Sequence, residues 1–228
     1  MSDELVTVKL RRPVTLKKGG EPVSELSLKP EGRALRGVML SIGWRNGNME
    51  KMFQRWSVAP LAYAGLRMAG CPADRCKSVF NEMHSADTMQ LFGVIRDMLS
   101  DSNETEEAEA SSETPAEGAK SKLPDVVKIK LRRPVQFGKT LDPVESITLE
   151  PIGSALRDLD TLVSQEGDFA LYNAEITELA KVGVRMGKVP GDMAIVDLMH
   201  PSDVMEVAQA VLGFIHGDPQ AGSDTSPS

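Results

Sequence analysis

Gly138-Lys139-Thr140 ends like a phosphate-binding P-loop, in which backbone N–H groups and a lysine hold a phosphate. The complete motif needs a glycine five residues before Gly138, and that position is Arg133. A P-loop also leads from a strand into a helix, and no helical pattern begins at this triplet. We therefore interpret the triplet as a turn.

His84 and His200 occupy equivalent places in two similar segments, so a shared catalytic or metal-binding role is one interpretation. No second His, Cys or carboxylate pair accompanies them at ligand spacing in both segments, and zinc needs three or four protein ligands. Helix capping or simple surface exposure is the other interpretation, and the one we favour. Cys71 and Cys76 cannot complete a zinc site alone, and we expect two ordinary semi-buried thiols. The sequence therefore predicts no catalytic, cofactor or metal residues and no enzyme.

Paired arginines, Arg11-Arg12 and Arg132-Arg133, could grip phosphates. Residues 1–100 carry 15 basic and 10 acidic side chains, whereas residues 125–217 carry 9 basic and 14 acidic ones. Nucleic-acid readers usually add a wide basic patch or stacking aromatic residues. Because the second segment is net acidic, we expect solvated charges at a strand end and no nucleic-acid partner.

These motifs belong to an internal repeat. Leu10-Arg11-Arg12-Pro13-Val14 recurs 121 residues later as Leu131-Arg132-Arg133-Pro134-Val135. The offset then shortens to 118, where Arg67-Met68 matches Arg185-Met186, and to 116, where Met83-His84 matches Met199-His200. The sequence predicts two tandem copies of one small α+β module, each with enough residues to bury its own core.

The predicted boundaries follow from composition. Residues 4–100 form the first module and 125–217 the second. Residues 101–124 lack Val, Ile, Phe and Trp and are rich in Glu and Ser, which predicts an acidic, disordered linker. Residues 218–228 form a similar polar tail.

Each module is predicted to be an N-terminal β-hairpin followed by three or four helices. Alternating apolar residues predict a first strand that ends at Pro13 or Pro134. A turn, at Gly19-Gly20 in the first copy, leads to a second strand. Apolar residues at helical spacing predict a last helix in each copy, beginning beside Pro201 in the second. They are Leu91, Phe92, Ile95 and Leu99 in one copy, and Val204, Val207, Ala208, Val211, Leu212 and Ile215 in the other.

A middle helix is also predicted in each copy from an apolar seam. These seams are the candidate partner-binding residues of the chain, and the methionine-containing one is the favoured exposed surface. They comprise Met49, Met52, Phe53 and Trp56 in the first copy, and Phe169, Tyr172, Ile176 and Leu179 in the second. Pro60 must kink the first of these helices or begin a new one.

The apolar stretches are too short to cross a bilayer, and Met1–Glu4 does not resemble a signal peptide. We therefore expect no membrane partner and a cytoplasmic location.

The order of these blocks resembles the tail assembly chaperone family of contractile-tailed, Mu-like bacteriophages. The resemblance rests on Leu131 to Pro134, Leu149 to Pro151, Ala155 to Arg157, Leu198-Met199 with Asp203, and Val211 to Ile215. It covers nearly all of residues 125–217, and residues 4–100 resemble the family as a divergent copy. The chain departs from the family pattern by carrying the module twice.

The resemblance implies a non-enzymatic chaperone in the host bacterial cytoplasm. Such a chaperone would coat the long, helical, apolar tape measure protein, keep it soluble and help recruit tail tube subunits. It leaves self-association open. A structural tail or baseplate adaptor that stays in the virion is the alternative.

Overall fold

The computed structural model describes residues 5–45, 48–100, 126–136, 142–157, 159, 162–166 and 169–216. Within these ranges, 44–45, 48–55, 162–166, 169–171 and 216 are described by their backbone alone. The predicted linker 101–124, the tail 218–228 and the triplet Gly138–Thr140 lie outside the described residues.

The fold class is α+β with an N-terminal hairpin, as predicted, and the same order of elements occurs in both halves of the chain. The N-terminal half contains β1 (Val6–Val14), β2 (Val23–Leu28), a 3₁₀ helix (Gly32–Leu35), β3 (Met39–Arg45), β4 (Asn48–Arg55), α1 (Val58–Met68), α2 (Cys76–Glu82) and α3 (Ser85–Ser100). The C-terminal half contains β5 (Val127–Val135), β6 (Val144–Leu149), a 3₁₀ helix (Gly153–Leu156), β7 (Leu162–Glu166), β8 (Phe169–Glu175), α4 (Ile176–Met186), α5 (Asp192–Leu198) and α6 (Pro201–His216).

The first hairpin of each half pairs two antiparallel strands, β1 with β2 and β5 with β6. Gly19 adopts a φ of +72°, which glycine reaches without steric cost, and the N–H of Gly20 donates to the carbonyl of Lys17. The predicted strand ends are wrong by one residue, because β1 continues through Pro13 and β5 through Pro134. A register shift just before each proline explains this, since an irregular ladder tolerates a residue without an N–H.

The predicted middle helices are wrong over residues 48–55 and 169–175, which form the strands β4 and β8. A 3-4 spacing of apolar residues in a short stretch does not separate a helix from a buried strand. Helices begin only after these strands, at Val58 and Ile176. Pro60 lies in the first turn of α1, so the alternative in which proline begins a new helix is confirmed.

The second hairpins of the two halves join in one antiparallel sheet of order β4-β3-β8-β7. At its centre β3 pairs with β8 over seven residue pairs, from Met39 opposite Glu175 to Arg45 opposite Phe169. One face of these two strands is buried, and it is formed by Leu40, Ile42, Tyr172 and Ala174. This sheet is the structural link between the two halves.

The predicted last helices are confirmed as α3 and α6. Each packs against the first long helix of its own half, α3 on α1 and α6 on α4. The sequence predicts a separate core for each module, but the buried apolar residues of the two halves form one continuous cluster. Contacts between α3 and α6, and between the first 3₁₀ helix and α5, account for this continuity.

Glycine allows close approach of the long helices. A Cβ added to Gly65 would lie 2.5 Å from a methyl carbon of Leu91, and one added to Gly183 would lie 2.2 Å from a methyl carbon of Val207. Both distances are far below van der Waals contact, so either helix pair must separate to accept a methyl group.

We predict that Gly65→Ala and Gly183→Ala each lower the free energy of unfolding by about 1–3 kcal/mol, because they overpack a tight contact. Gly93→Ala and Gly213→Ala are the matched controls, since a Cβ at either position of α3 or α6 meets nothing within 4 Å. These controls should raise stability by roughly 0.5–1 kcal/mol through helix propensity. Urea denaturation followed by circular dichroism distinguishes the two groups, and equal effects would contradict the packing argument.

Candidate partner-binding surface

The two equivalent histidines cap helices, which confirms the favoured interpretation. The Nδ1 atom of His84 accepts a hydrogen bond from the N–H of Ala86, in the first turn of α3. The Nδ1 atom of His200 accepts one from the N–H of Ser202 in α6. Each imidazole satisfies an N–H group that the helix leaves without an internal partner.

A buried aspartate in the first turn of the same helices binds the backbone of the repeated Arg-Arg pairs. Both carboxylate oxygens of Asp87 accept from the backbone N–H of Arg11 at 3.0 Å, and one also accepts from the N–H of Arg12 at 3.2 Å. Asp203 accepts from the N–H of Arg132 at 3.2 Å with both oxygens. These amides lie in the part of each hairpin ladder where the register shifts. The carboxylates therefore tie the hairpin of each half to its last helix.

Burial shifts the protonation of two groups at the start of α6 in opposite directions. Burial raises the pKa of Asp203 to about 6, although the Arg132 N–H and the Arg132 and Arg133 charges act against it. Burial lowers the pKa of His200 to about 4, and the charges of Arg132 and Arg133 lower it further. The folded chain thus favours the neutral form of both groups.

The two shifts make opposite contributions to stability over the same pH range. Because the folded chain binds the Asp203 proton more tightly than the unfolded chain, this group lowers stability as the pH rises from about 4 to about 6. Because the folded chain binds the His200 proton more weakly, that group lowers stability as the pH falls from 6.5 to about 4.

We predict that removing one group exposes the contribution of the other. Relative to the unmodified chain, Asp203→Asn should lose stability as the pH falls from 6.5 to 4.5, and His200→Asn should gain stability over that interval. Urea denaturation at several pH values measures both differences. His84→Asn, the same substitution at the equivalent helix start, is the control for losing a capping imidazole. If neither stability difference varied with pH, the two pKa shifts of Asp203 and His200 would be contradicted.

Cys71 and Cys76 are free and buried in α2 and the turn before it. Burial, together with the neighbouring Cys76, raises the pKa of Cys71 to about 12, and burial also raises the pKa of Cys76. A thiol is reactive only as its thiolate. The two side chains therefore pack as small apolar groups.

We predict that neither cysteine reacts with N-ethylmaleimide at pH 7 in the folded chain, because both thiols stay protonated at that pH and are buried away from the reagent. Both should react fully in denaturant. Intact-mass spectrometry counts the adducts over time, and rapid labelling of the folded chain would contradict the burial of these thiols.

Three of the eight candidate partner-binding residues lie inside the chain. Ile176 and Leu179 are fully buried on α4, and Tyr172 is buried on the inner face of the sheet. They fill the core because α4 packs against α6 and the sheet, so they cannot form the exposed seam that the sequence suggests. Trp56 follows β4 and is half-buried.

The other four candidates lie on strands of the shared sheet. Met49, Met52 and Phe53 belong to β4, and Phe169 belongs to β8. In the sheet, Gly43 pairs with Phe53 on one neighbouring strand and with Leu171 on the other. These positions alternate with the buried Ile42 and Tyr172, so they belong to the opposite face of the sheet. Phe53, Leu171 and Phe169 therefore occupy positions of the outer sheet face, which we define as the face opposite the buried one.

Met39 belongs to the same outer sheet face and is 43% exposed. The half-buried Ser41 and Asn173 follow it along the sheet, and the Ser41 hydroxyl lies 2.5 Å from the amide oxygen of Asn173. Sequence reasoning misses this face. The signal for it was the alternation of Leu40, Ile42 and Trp44 with smaller or polar residues, which is typical of a strand.

A cleft of about 540 Å³ lies beside the junction of the two halves. Four basic side chains line it, and two carboxylates pair with three of them, Glu31 with Lys29 and Arg33, and Asp197 with Arg36. The fourth, Arg67, donates to the backbone carbonyls of Tyr63 and Arg36. The lining therefore carries more basic than acidic side chains.

Among the described residues, no group of three or more His, Cys, Asp or Glu side chains is placed to hold a metal ion. Within the same ranges, no helix has both the length and the apolar character needed to cross a membrane. No family model matches the sequence, and searches of curated proteins and of solved structures also give no match.

Proposed function

We propose that the chain is a non-enzymatic phage tail assembly chaperone that binds and solubilises the helical tape measure protein and helps tail tube assembly. The proposal rests on the order of sequence blocks that resembles the Mu-like chaperone family. The observation that carries it in the structure is the outer sheet face, on which Met39 is 43% exposed although its neighbour in the strand, Leu40, is fully buried.

The outer sheet face suits a helical partner. A sheet face with Met39 exposed and with apolar residues at positions 53, 169 and 171 can receive the apolar stripe of an amphipathic helix, as helices and sheets pack in domains. A long, exposed apolar helix would otherwise aggregate. Binding through packing, with few polar contacts, would also allow the chaperone to leave when tail tube subunits arrive.

The test is co-expression of the full chain with the tape measure protein from the same phage. We expect the chain to move most of the tape measure protein into the soluble fraction and to co-purify with it. Met39→Glu should reduce both, because a charge on the outer sheet face opposes burial against an apolar helix.

Leu198→Glu is the matched control, since Leu198 is 45% exposed but lies on α5, outside the sheet. It should bind the tape measure protein normally. Equal loss with both variants would contradict the use of the outer sheet face, and an unchanged solubility of the tape measure protein with the natural chain would contradict the function. Mass spectrometry of purified virions adds a second test, because a chaperone should be absent from finished particles and a structural adaptor present.

A further inference from the structure

The cleft beside the junction of the two halves joins a second cleft of about 320 Å³, because Arg36, Arg67 and Ala73 line both. We call the joined surface the basic groove. Its basic side chains are Lys29, Arg33, Arg36, Arg67 and Lys77, and its acidic ones are Glu31 and Asp197. The basic groove therefore keeps an excess of positive charge after its ion pairs have formed.

The equivalent positions of the C-terminal half differ in charge. Glu150 stands at the position of Lys29, and its carboxylate pairs with Lys188 at 2.9 Å. Ser154 stands at the position of Arg33. The excess of basic side chains is therefore a feature that the two similar halves do not share.

Arg67 lies in the wall that the two clefts share and contacts neutral acceptors. Its Nη1 atom donates to the carbonyl of Arg36 at 2.6 Å, and its Nε atom donates to the carbonyl of Tyr63 at 3.3 Å. In the part of the chain that the structure describes, no carboxylate forms an ion pair with it and its Nη2 atom has no acceptor. Burial lowers the pKa of Arg67, although the neighbouring Cys76 and Glu175 act against this shift. A guanidinium that has lost water without gaining an ion-pair partner favours an incoming anion.

The second half neutralises the equivalent arginine. The Nε atom of Arg185 donates to a carboxylate oxygen of Asp192 at 2.9 Å. Asp192 is the first residue of α5, and Cys76 is the first residue of the equivalent helix α2. A thiol in the first half thus stands where the second half has the carboxylate, which leaves Arg67 available to a ligand.

We propose that the basic groove binds an acidic peptide segment of a partner protein, with Arg67 as the anchor of one carboxylate. A charge-assisted hydrogen bond from a guanidinium to a carboxylate is among the stronger polar contacts in proteins. Lys29 and Arg33 are 55% and 67% exposed, so their charged ends can meet further carboxylates at the rim. Small or apolar residues separate the charges of the lining, and they include Ala34, Met68, Pro72 and Ala73.

The lining suits a peptide better than a nucleic acid. Glu31 and Asp197 would repel an unbroken row of phosphates, whereas an extended peptide can present its carboxylates on alternate residues and leave gaps between them. Tyr63 is an aromatic residue of the lining, but its ring already packs edge-on with Phe80 at 5.2 Å between centroids. Proteins that bind single strands usually offer aromatic rings on which bases can stack.

The basic groove is separate from the outer sheet face. Its lining comes from the end of β2, the first 3₁₀ helix, α1, the start of α2 with the turn before it, and α5. An acidic peptide and an apolar helix can therefore be tested as ligands independently, and this inference does not rest on the proposed function.

The test is fluorescence anisotropy of a rhodamine-labelled peptide of four Glu-Ala repeats, titrated with the full chain at low salt. We expect saturable binding that weakens as salt is added, because salt screens exposed charges. The same peptide with Gln in place of Glu is the control ligand and should not bind.

Two variants locate the contact. Arg33→Ser introduces the residue of the second half and should weaken binding about two- to fivefold, as expected for an exposed charge pair. Arg67→Lys keeps the charge but loses the guanidinium, and it should weaken binding about tenfold. Arg96→Ser is the matched control, since Arg96 also lies in the first half, is 49% exposed and pairs with a carboxylate, but belongs to α3 outside the groove. It should bind normally, and circular dichroism checks that each variant is folded.

Residues 101–124 of the same chain carry seven acidic and two basic side chains and compete with an added acidic peptide. The titration is therefore repeated with Glu104, Glu106, Glu107 and Glu109 all changed to Gln. Failure of both forms of the chain to bind the Glu-Ala peptide would overturn the proposal. Equal weakening by Arg33→Ser and Arg96→Ser would also overturn it, because the attraction would then be unspecific. Tighter binding of a single-stranded oligonucleotide of the same charge would replace the peptide by a nucleic acid.

Discussion

The pairing of β3 with β8 is the constraint on which the tertiary structure depends. These strands are about 130 residues apart in the chain, yet seven consecutive residue pairs bring them together. Side chains alternate between faces along a strand, so a slip of one residue would move Leu40 and Ile42 from the buried face to the outer one. The pairing therefore determines which face of the sheet is buried and places the first 3₁₀ helix where Gly32 can reach Met199. It also brings the buried apolar residues of the two halves into one continuous core.

Within each half, a buried carboxylate has the corresponding role. Asp87 and Asp203 accept hydrogen bonds from hairpin amides where the ladder register shifts, and they do so from the first turn of a helix, where a negative charge is favoured. In each half the carboxylate binds the hairpin, and the neighbouring histidine binds an N–H of the helix start. This arrangement connects the repeated Arg-Arg-Pro and His-x-x-Asp segments through backbone amides of the arginines.

The equivalent positions of the two halves differ in exposure because the halves meet through unlike surfaces. Gly32 is enclosed and Gly153 is open; Met205 is covered and Met89 is exposed.

The N-terminal hairpins, the last helix of each half and the capping histidines could be predicted from the sequence, because they arise from local periodicity and from the chemistry of proline, glycine and helix ends. The second hairpins could not, since short apolar runs such as Met49 to Phe53 fit a helix and a strand equally well. Their strand conformation depends on hydrogen bonds to a distant part of the chain. The predicted seam of Tyr172, Ile176 and Leu179 is divided between β8 and α4, and only the packing of α4 against α6 and the sheet decided that these residues face inward. Local sequence determined which residues are apolar and where helices begin, whereas burial and strand order were decided by which surfaces of the folded halves fit together.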